Sequence, residues 1–214
     1  MELAQIQEAL KNGEIGKVAE LTQTAIDEGV GVKTVLDALI GAMDEIGVRF
    51  RNNDIFIPEV MISAKAMHAG LDILEPHLSK SGIKPLAKVG IGTVKGDLHD
   101  IGKNLVAMMF KGAGFEVLDL GIDVPTERFI DTARDKEVSI IAMSTLLTTS
   151  MGAMKDIIEQ LKKEGLLEKV KTMVGGAPVT ESYAGSIGAD GYAKDASSAV
   201  DKARELLGLL KGPK

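Results

Sequence analysis

Apolar residues recur at helical spacing through the first third of the chain, in four stretches separated by short breaks. Asn12-Gly13, Gly29 and the polar segment 51–54 are these breaks. Within each stretch the apolar residues lie three or four positions apart, which places them on one face of a helix. Pro58 suits the first turn of the fourth helix because its fixed backbone angle fits a helix start. Four helices with short connections predict a small antiparallel bundle.

The pattern changes after residues 79–85, a segment rich in Ser, Lys, Gly and Pro that is typical of a linker. Short apolar runs then alternate with segments of helical periodicity. We predict strands at 89–93, 115–120, 138–143, 172–174 and 189–193, and helices at 101–111, 127–135, 151–163, 182–187 and 196–207. This alternation predicts a five-stranded parallel sheet with helices on both faces. We therefore expect a helical domain at 1–84 and an α/β domain at 85–214.

Composition narrows the chemistry that is available. Aromatic residues make up 3% of the chain and Trp is absent, so we expect an aliphatic core. Cys is also absent, which excludes disulfides, thiolate metal ligands, iron–sulfur clusters and a Cys nucleophile. A transition metal would have to be held by His, by a carboxylate or within a cofactor.

Charge and hydropathy give expectations about partners and location. The net charge is -6, and no dense run of Lys and Arg offers a surface for nucleic acid. The start of the chain has an early acidic residue and no apolar signal core. No stretch approaches the roughly 18 consecutive apolar residues that span a membrane. We expect a cytoplasmic protein without nucleic-acid or membrane partners.

The loop after the first predicted strand carries the first candidate site, because ligands of open α/β sheets bind at the carboxyl ends of strands. Its sequence matches neither the dinucleotide fingerprint nor the phosphate-binding loop in glycine spacing. What remains is Asp97-x-His99-x-x-Gly102. A carboxylate there can orient an imidazole for metal binding, and a glycine allows a bulky ligand to approach the backbone. Taken alone, the three residues are better explained as an ordinary polar loop.

Two further motifs fall where other strands are predicted to end, Ser144-x-Leu146 and Gly175-Gly176. Together the three motifs resemble the cobalamin-binding module shared by cobalamin-dependent methionine synthase and the corrinoid proteins of multicomponent methyltransferases. The resemblance implies a Rossmann-like, flavodoxin-like α/β domain preceded by a four-helix cap. It also implies that the cofactor is cobalamin or a related corrinoid, including its methylated form.

The resemblance assigns roles to individual residues. His99 would be the lower axial ligand of cobalt and would displace the corrinoid's own base. Asp97 would accept a hydrogen bond from His99, and Ser150 would be the third member of this catalytic relay. The cofactor-binding set adds Gly102, Ser144, Leu146, Gly175 and Gly176, of which Ser144 and the two glycines would line the channel for the nucleotide tail. Alternatively, the hydroxyl residues at 144–150 would only cap the next helix.

The resemblance extends to the helical region, less specifically. Phe50, Ile57 and Val60 would cover the upper, methyl-bearing face of the corrin, although each could instead belong to the bundle core. His68 and His77 lack carboxylates at ligand spacing, and we interpret them as surface or partly packed residues.

The function implied is that of a methyl carrier, which is not catalytic alone. One partner methyltransferase would supply the methyl group from its substrate, and a second would pass it to a folate or thiol acceptor. A reductive activator would be a further partner. One alternative is a cobalamin-sensing regulator, for which the acidic bundle offers no basic recognition helix. A subunit of an adenosylcobalamin mutase is another, but such modules lack this cap.

Overall fold

The computed structural model describes residues 3–209 and divides them into two compact units. One unit ends at Leu86 and also includes Lys111–Gly114, and the other begins at Ala87. Our predicted domain boundary lies between residues 84 and 85. Within residues 3–209, no helix has the length and apolar character needed to cross a membrane.

The first unit is a group of four helices, as the periodicity predicts. They are α1 (Leu3–Lys11), α2 (Ile15–Asp27), α3 (Val32–Arg51) and α4 (Ile57–Ser81). Helix α4 packs on α2 and α3, and α1 packs on α2 and α3. Helix α4 continues through the first residues of the predicted linker and ends where Gly82 adopts a positive φ of 67°. A left-handed glycine is a common helix end because it has no Cβ to clash with the backbone.

The second unit contains the predicted five-stranded parallel sheet. Its strands are β1 (Lys88–Val94), β2 (Glu116–Val124), β3 (Ile140–Ser144), β4 (Lys171–Gly175) and β5 (Gly191–Ala193). Its helices are α5 (Ile101–Gly112), α6 (Thr126–Asp135), α7 (Met151–Lys163), α8 (Glu181–Ser186) and α9 (Ala196–Leu206). The strand order is β2-β1-β3-β4-β5, with every neighbouring pair parallel. This is the flavodoxin-like order, so the predicted fold class is confirmed.

Strand β2 is longer than predicted, because it continues beyond Leu120 to Val124. Asp119, Gly121 and Asp123 suggest a turn, yet they lie within the strand. Their pairing with β1 is irregular, with register shifts between Ile91 and Val94. Backbone hydrogen bonds hold the segment in the sheet whatever the side chains favour, which is why the sequence pattern fails here.

The core of the second unit is not wholly aliphatic, which corrects our expectation from composition. Phe110 and Phe129 are among the largest completely buried side chains. Phe110 meets Phe115 edge-to-face, with ring centroids 5.5 Å apart. Three buried phenylalanines therefore contribute to this core, and each buries a large apolar area.

The topology creates a crevice at the carboxyl edge of the sheet, between β1 and β3. Strand order reverses at this point, and the connections after the two strands leave on opposite sides. The ends of the three central strands are in register, with Thr93 beside Ser144 and Ser144 beside Gly175. All three motifs of the sequence therefore lie where strands end at this edge.

One buried polar atom in the first unit gives a stability prediction. Thr22 in α2 is completely buried, and its Oγ1 has no hydrogen-bond partner within the described residues. Thr22→Val replaces this hydroxyl by a methyl group of similar size and removes its desolvation penalty. We expect the free energy of unfolding to rise by about 1 kcal/mol, measured by urea denaturation.

Thr24→Val in the same helix is the matched control. Thr24 is partly exposed, and its hydroxyl donates to the carbonyl oxygen of Glu20. We expect this variant to leave stability nearly unchanged. A loss of stability in Thr22→Val would contradict the reading of Oγ1 as an unsatisfied group.

Candidate functional site

The loop that carries His99 joins β1 to α5, and hydrogen bonds to its backbone hold it in place. Thr93 Oγ1 donates to the carbonyl oxygen of His99 at 2.8 Å. The amide of Gly96 donates to Asp123 Oδ1 at 2.7 Å, and the amide of Asp123 donates to the carbonyl of Asp97 at 3.0 Å. Asp123 adopts a positive φ of 50°, which is uncommon for a residue other than glycine. The end of β2 therefore holds this loop in place.

Asp97 is completely buried, and its carboxylate accepts hydrogen bonds on both oxygens. Oδ1 accepts from the backbone amide of His99 at 2.9 Å and lies 2.6 Å from the ring nitrogen Nδ1 of His99. Oδ2 accepts from Thr145 Oγ1 at 2.7 Å and from the amide of Leu146 at 2.6 Å. The amide of Leu147 lies at 3.3 Å from the same oxygen. One carboxylate thus joins the loops that follow β1 and β3.

These contacts determine the charge of Asp97 and the tautomer of His99. Burial is the largest influence and would raise the pKa of Asp97. The hydrogen bonds from the His99 amide, the Thr145 hydroxyl, the Leu146 amide and the His99 ring together outweigh it, and hold that pKa well below its usual range. An ionised carboxylate can only accept, so Nδ1 of His99 carries the proton.

The tautomer leaves Nε2 of His99 with a free lone pair. About half of the His99 side chain is exposed, while the Asp97 side chain beneath it is fully buried. This is the arrangement that fixes a metal-binding histidine in other proteins. Among the described residues, no cluster of three or more His, Cys, Asp or Glu could hold a metal ion.

The relay beyond Asp97 differs from the expected one. Ser150 Oγ lies 2.5 Å from Thr145 Oγ1, and Thr145 is the residue that contacts Asp97. Ser150 immediately precedes α7 but its side chain makes no capping hydrogen bond, so the helix-cap interpretation is wrong for this residue. Sequence reasoning missed Thr145, although its hydroxyl position inside the Ser144-x-Leu146 motif was a signal that could have revealed it.

The Gly175-Gly176 turn lies against the backbone of Thr145. The amide of Thr145 donates to the carbonyl of Gly175 at 3.2 Å. Gly176 has a positive φ of 125°, and a Cβ added there would lie 1.8 Å from the carbonyl oxygen of Thr145. The protein itself therefore requires glycine at position 176. Ser144, at the end of β3, is partly buried beside this turn.

Large apolar side chains are exposed around His99. They form what we call the apolar rim, which consists of Leu98, Ile101, Ile122, Leu146 and Leu147. Leu98 and Ile101 follow β1, Leu146 and Leu147 follow β3, and Ile122 lies near the end of β2. Exposed apolar groups concentrated at one place are typical of a binding surface. Gly102 is the second residue of α5, and a Cβ added there would meet nothing within 4 Å.

A buried lysine near the site was not anticipated from the sequence. Lys103 follows Gly102 in α5, and its side chain is only 2% exposed. Its ammonium group bonds both carboxylate oxygens of Asp119 at 2.7 Å and Asn104 Oδ1 at 2.6 Å. The ion pair connects the first turn of α5 to β2.

The residues expected to cover the corrin lie in the four-helix unit. Phe50 is partly buried near the end of α3, Ile57 is exposed at the start of α4, and Val60 is completely buried. Complete burial favours a core role for Val60, and the cofactor contacts of all three stay predictions. His68 and His77 both lie in α4 with intermediate exposure, and burial lowers the pKa of His68.

Comparison with known proteins identifies the family. Two family models, both described as a B12 binding domain, match residues 87–201 and residues 2–75. A corrinoid protein of Desulfitobacterium hafniense (strain Y51) is 42% identical over 210 residues, which is 96% of this chain and 97% of the relative. Dimethylamine corrinoid protein 3 of Methanosarcina acetivorans is 43% identical over 205 residues, or 96% of each chain.

Solved structures agree with these relatives. A cobalamin-binding protein from Desulfitobacterium hafniense DCB-2 superposes with a TM-score of 0.81 at 30% identity, covering 95% of this chain and 98% of that one. The methanol:cobalamin methyltransferase complex MtaBC of Methanosarcina barkeri gives a TM-score of 0.85 at 30% identity, covering 98% of this chain and 80% of the matched chain. The chain therefore belongs to the B12-binding corrinoid proteins of methyltransferase systems, and its cofactor is a corrinoid.

Proposed function

We propose that this protein is a methyl carrier between two methyltransferases. One partner takes a methyl group from its substrate and loads the carrier, and the second unloads it to a folate or thiol acceptor. A reductive activator and a cytoplasmic location complete the proposal. The observation that carries it is the half-exposed side chain of His99, whose Nδ1 is bonded to the buried Asp97, within a chain of this family.

The residues at the carboxyl edge of the sheet fit a corrinoid. When bound, the corrinoid supplies a cobalt centre that can accept and release a methyl group. His99 offers an unprotonated ring nitrogen as an axial ligand, and Asp97 keeps the ring in the tautomer that makes this possible. Ser150 contributes to the same relay through Thr145.

The apolar rim and the glycines suit the remainder of the cofactor. The rim offers exposed apolar area at the strand ends that carry the site, which suits a large and mostly apolar ring. Open space at Gly102 would let that ring approach the first turn of α5. We propose that Ser144, Leu146 and the Gly175-Gly176 turn contact the nucleotide tail, and that Phe50, Ile57 and Val60 act in the cap.

Reconstitution tests the proposal directly. The full chain is incubated with cobalamin under reducing conditions and passed through gel filtration, and absorbance compares bound corrinoid with protein. We expect equimolar corrinoid to elute with the protein. Addition of a methyltransferase encoded beside this gene, with its methylated substrate, should then change the absorbance spectrum of the bound cofactor. Protein that elutes colourless would contradict the proposal.

Gly102→Leu tests whether the open space at the start of α5 belongs to the cofactor. Leucine is a better helix former than glycine by nearly 1 kcal/mol, and nothing in the protein opposes its side chain, so we expect stability to be unchanged or raised. We expect corrinoid binding to fall at least tenfold, since about 1.4 kcal/mol of steric conflict suffices for that. Thermal unfolding of the apo protein and corrinoid titration provide the two measurements.

Gly16→Leu is the matched control for this substitution. Gly16 is also the second residue of its helix, α2, and a Cβ added there also meets nothing. We expect this variant to bind corrinoid like the wild type. Equal binding by Gly102→Leu and the wild type would remove Gly102 from the site.

Asp97→Asn tests the electrostatic role of the buried carboxylate. The side-chain NH₂ of Asn would face hydrogen-bond donors that now bond to the carboxylate of Asp97. We therefore expect the free energy of unfolding at pH 7 to fall by about 2 kcal/mol. The folded pKa of Asp97 lies below its unfolded value, so its stabilising effect is complete above that value. The effect is lost as the pH falls through the folded pKa, and it begins to shrink below about pH 4.

Urea denaturation at several pH values measures this difference. The gap in stability between wild type and Asp97→Asn should therefore narrow in acid. Asp100→Asn, at an exposed position in the same loop, is the control and should change little. A gap that stays constant from neutral to acid pH would mean that the charge of Asp97 contributes nothing.

A further inference from the structure

Two buried hydroxyl groups lie behind Asp97, and only one of them touches it. Thr145 is 1% exposed and Ser150 is 6% exposed. Thr145 Oγ1 is 2.7 Å from Asp97 Oδ2 and 2.5 Å from Ser150 Oγ. The side chain in direct contact with the carboxylate is therefore that of Thr145, with Ser150 one step further away.

The direction of each hydrogen bond follows from counting protons. A hydroxyl has one hydrogen to donate, and an ionised carboxylate can only accept. Thr145 therefore donates to Asp97, and Ser150 donates to Thr145, because two oxygens 2.5 Å apart need a hydrogen between them. Among the described residues, Thr145 is thus the hydroxyl donor to Asp97. Ser150 supports it by donating to Thr145.

Fixing one oxygen of a carboxylate fixes the other, because the group is planar. Oδ2 of Asp97 is held by the Thr145 hydroxyl and by the amide of Leu146. Oδ1 is thereby aimed at Nδ1 of His99, 2.6 Å away. Loss of the hydroxyl would leave a buried oxygen with one short bond and the longer one from Leu147. The backbone amides would still hold the carboxylate, but its orientation would be less sharply defined, and so would the direction of its bond to His99.

The backbone of Thr145 is itself held with little freedom. Its amide donates to Gly175, and its carbonyl oxygen occupies the space that a side chain at position 176 would need. Its side chain is therefore presented to Asp97 from a fixed point. A fixed donor directs its partner better than a mobile one, since no ordering is needed when the bond forms.

We infer that Thr145 is a positioning residue for His99, which it holds in the Nδ1–H tautomer by fixing the carboxylate of Asp97. The importance of this tautomer rests on the proposed role of His99 as the cobalt ligand. The tautomer itself is a property of the cofactor-free chain and can be measured without corrinoid.

The test uses NMR of the full-length apo protein with ¹⁵N-labelled histidine. Correlations between ring protons and ring nitrogens distinguish the two neutral tautomers, and spectra are taken at the alkaline end of a pH series. The His99→Ala variant identifies the His99 signals, and those of His68 and His77 serve as internal controls. In the wild type we expect the Nδ1–H form of His99 to dominate.

Three variants separate the two hydroxyl groups. Thr145→Val keeps the shape and removes the donor, so the population of the Nδ1–H form should fall measurably in favour of the Nε2–H form. Thr145→Ser restores the hydroxyl and should restore the wild-type pattern. Ser150→Ala leaves Thr145 in place and should keep the Nδ1–H form dominant.

Two results would overturn the inference. One is a wild-type tautomer pattern in Thr145→Val. The other is a loss of the Nδ1–H form in Ser150→Ala, which also decides the matter if Thr145→Val does not fold. Failure of corrinoid binding in the wild type, with the tautomer pattern as expected, would instead count against the proposed function alone.

Discussion

The hydrogen bond between the buried carboxylate of Asp97 and the exposed ring of His99 is the interaction on which the site depends. A carboxylate without solvent is stable as an anion only if donors surround it, and here they come from two loops. The loops must therefore be held together for Asp97 to remain charged. In return, the charged carboxylate determines which nitrogen of His99 is left free.

The sheet supplies this arrangement through its topology. Strands β1 and β3 are neighbours, and they end in register at Thr93 and Ser144, so the loops that follow them start side by side. The end of β2 adds the contacts of Asp123, and the turn after β4 adds Gly176. Four consecutive strands of the sheet therefore contribute to the position of a single imidazole. This explains why motifs up to about 80 residues apart in sequence can form one site.

Much of the architecture could be predicted from the sequence because periodicity reports burial, and burial determines the elements. The four helices and the five strands follow from apolar spacing alone. The extension of β2 could not be found, because polar residues at Asp119 and Asp123 and a glycine at 121 resemble a turn. Pairing with β1 overrides that local preference, and pairing is not visible in a single strand's sequence.

For the site, the motif residues Asp97 and His99 were foreseen as a bonded pair, and the structure places them in contact. Thr145 and Lys103 were missed as contributors because their importance lies in what they touch across the fold. From its sequence position alone, a lysine that follows a glycine in a helix is expected to be exposed. Lys103 is buried because it pairs with a carboxylate on β2. Side-chain pairs of this kind depend on tertiary geometry, which residue type and spacing do not specify.

The most direct test of the account is electron paramagnetic resonance of the protein loaded with a corrinoid in the Co(II) state. An axial nitrogen splits the signal of the unpaired electron, and the splitting depends on the nitrogen isotope. If His99 is the ligand, labelling the protein's histidines with ¹⁵N changes the splitting, and His99→Ala abolishes this protein-derived pattern while His68→Ala and His77→Ala leave it intact. A splitting that is the same with and without the ¹⁵N label, or that persists in His99→Ala, would show that the axial nitrogen does not come from His99 and would contradict the account.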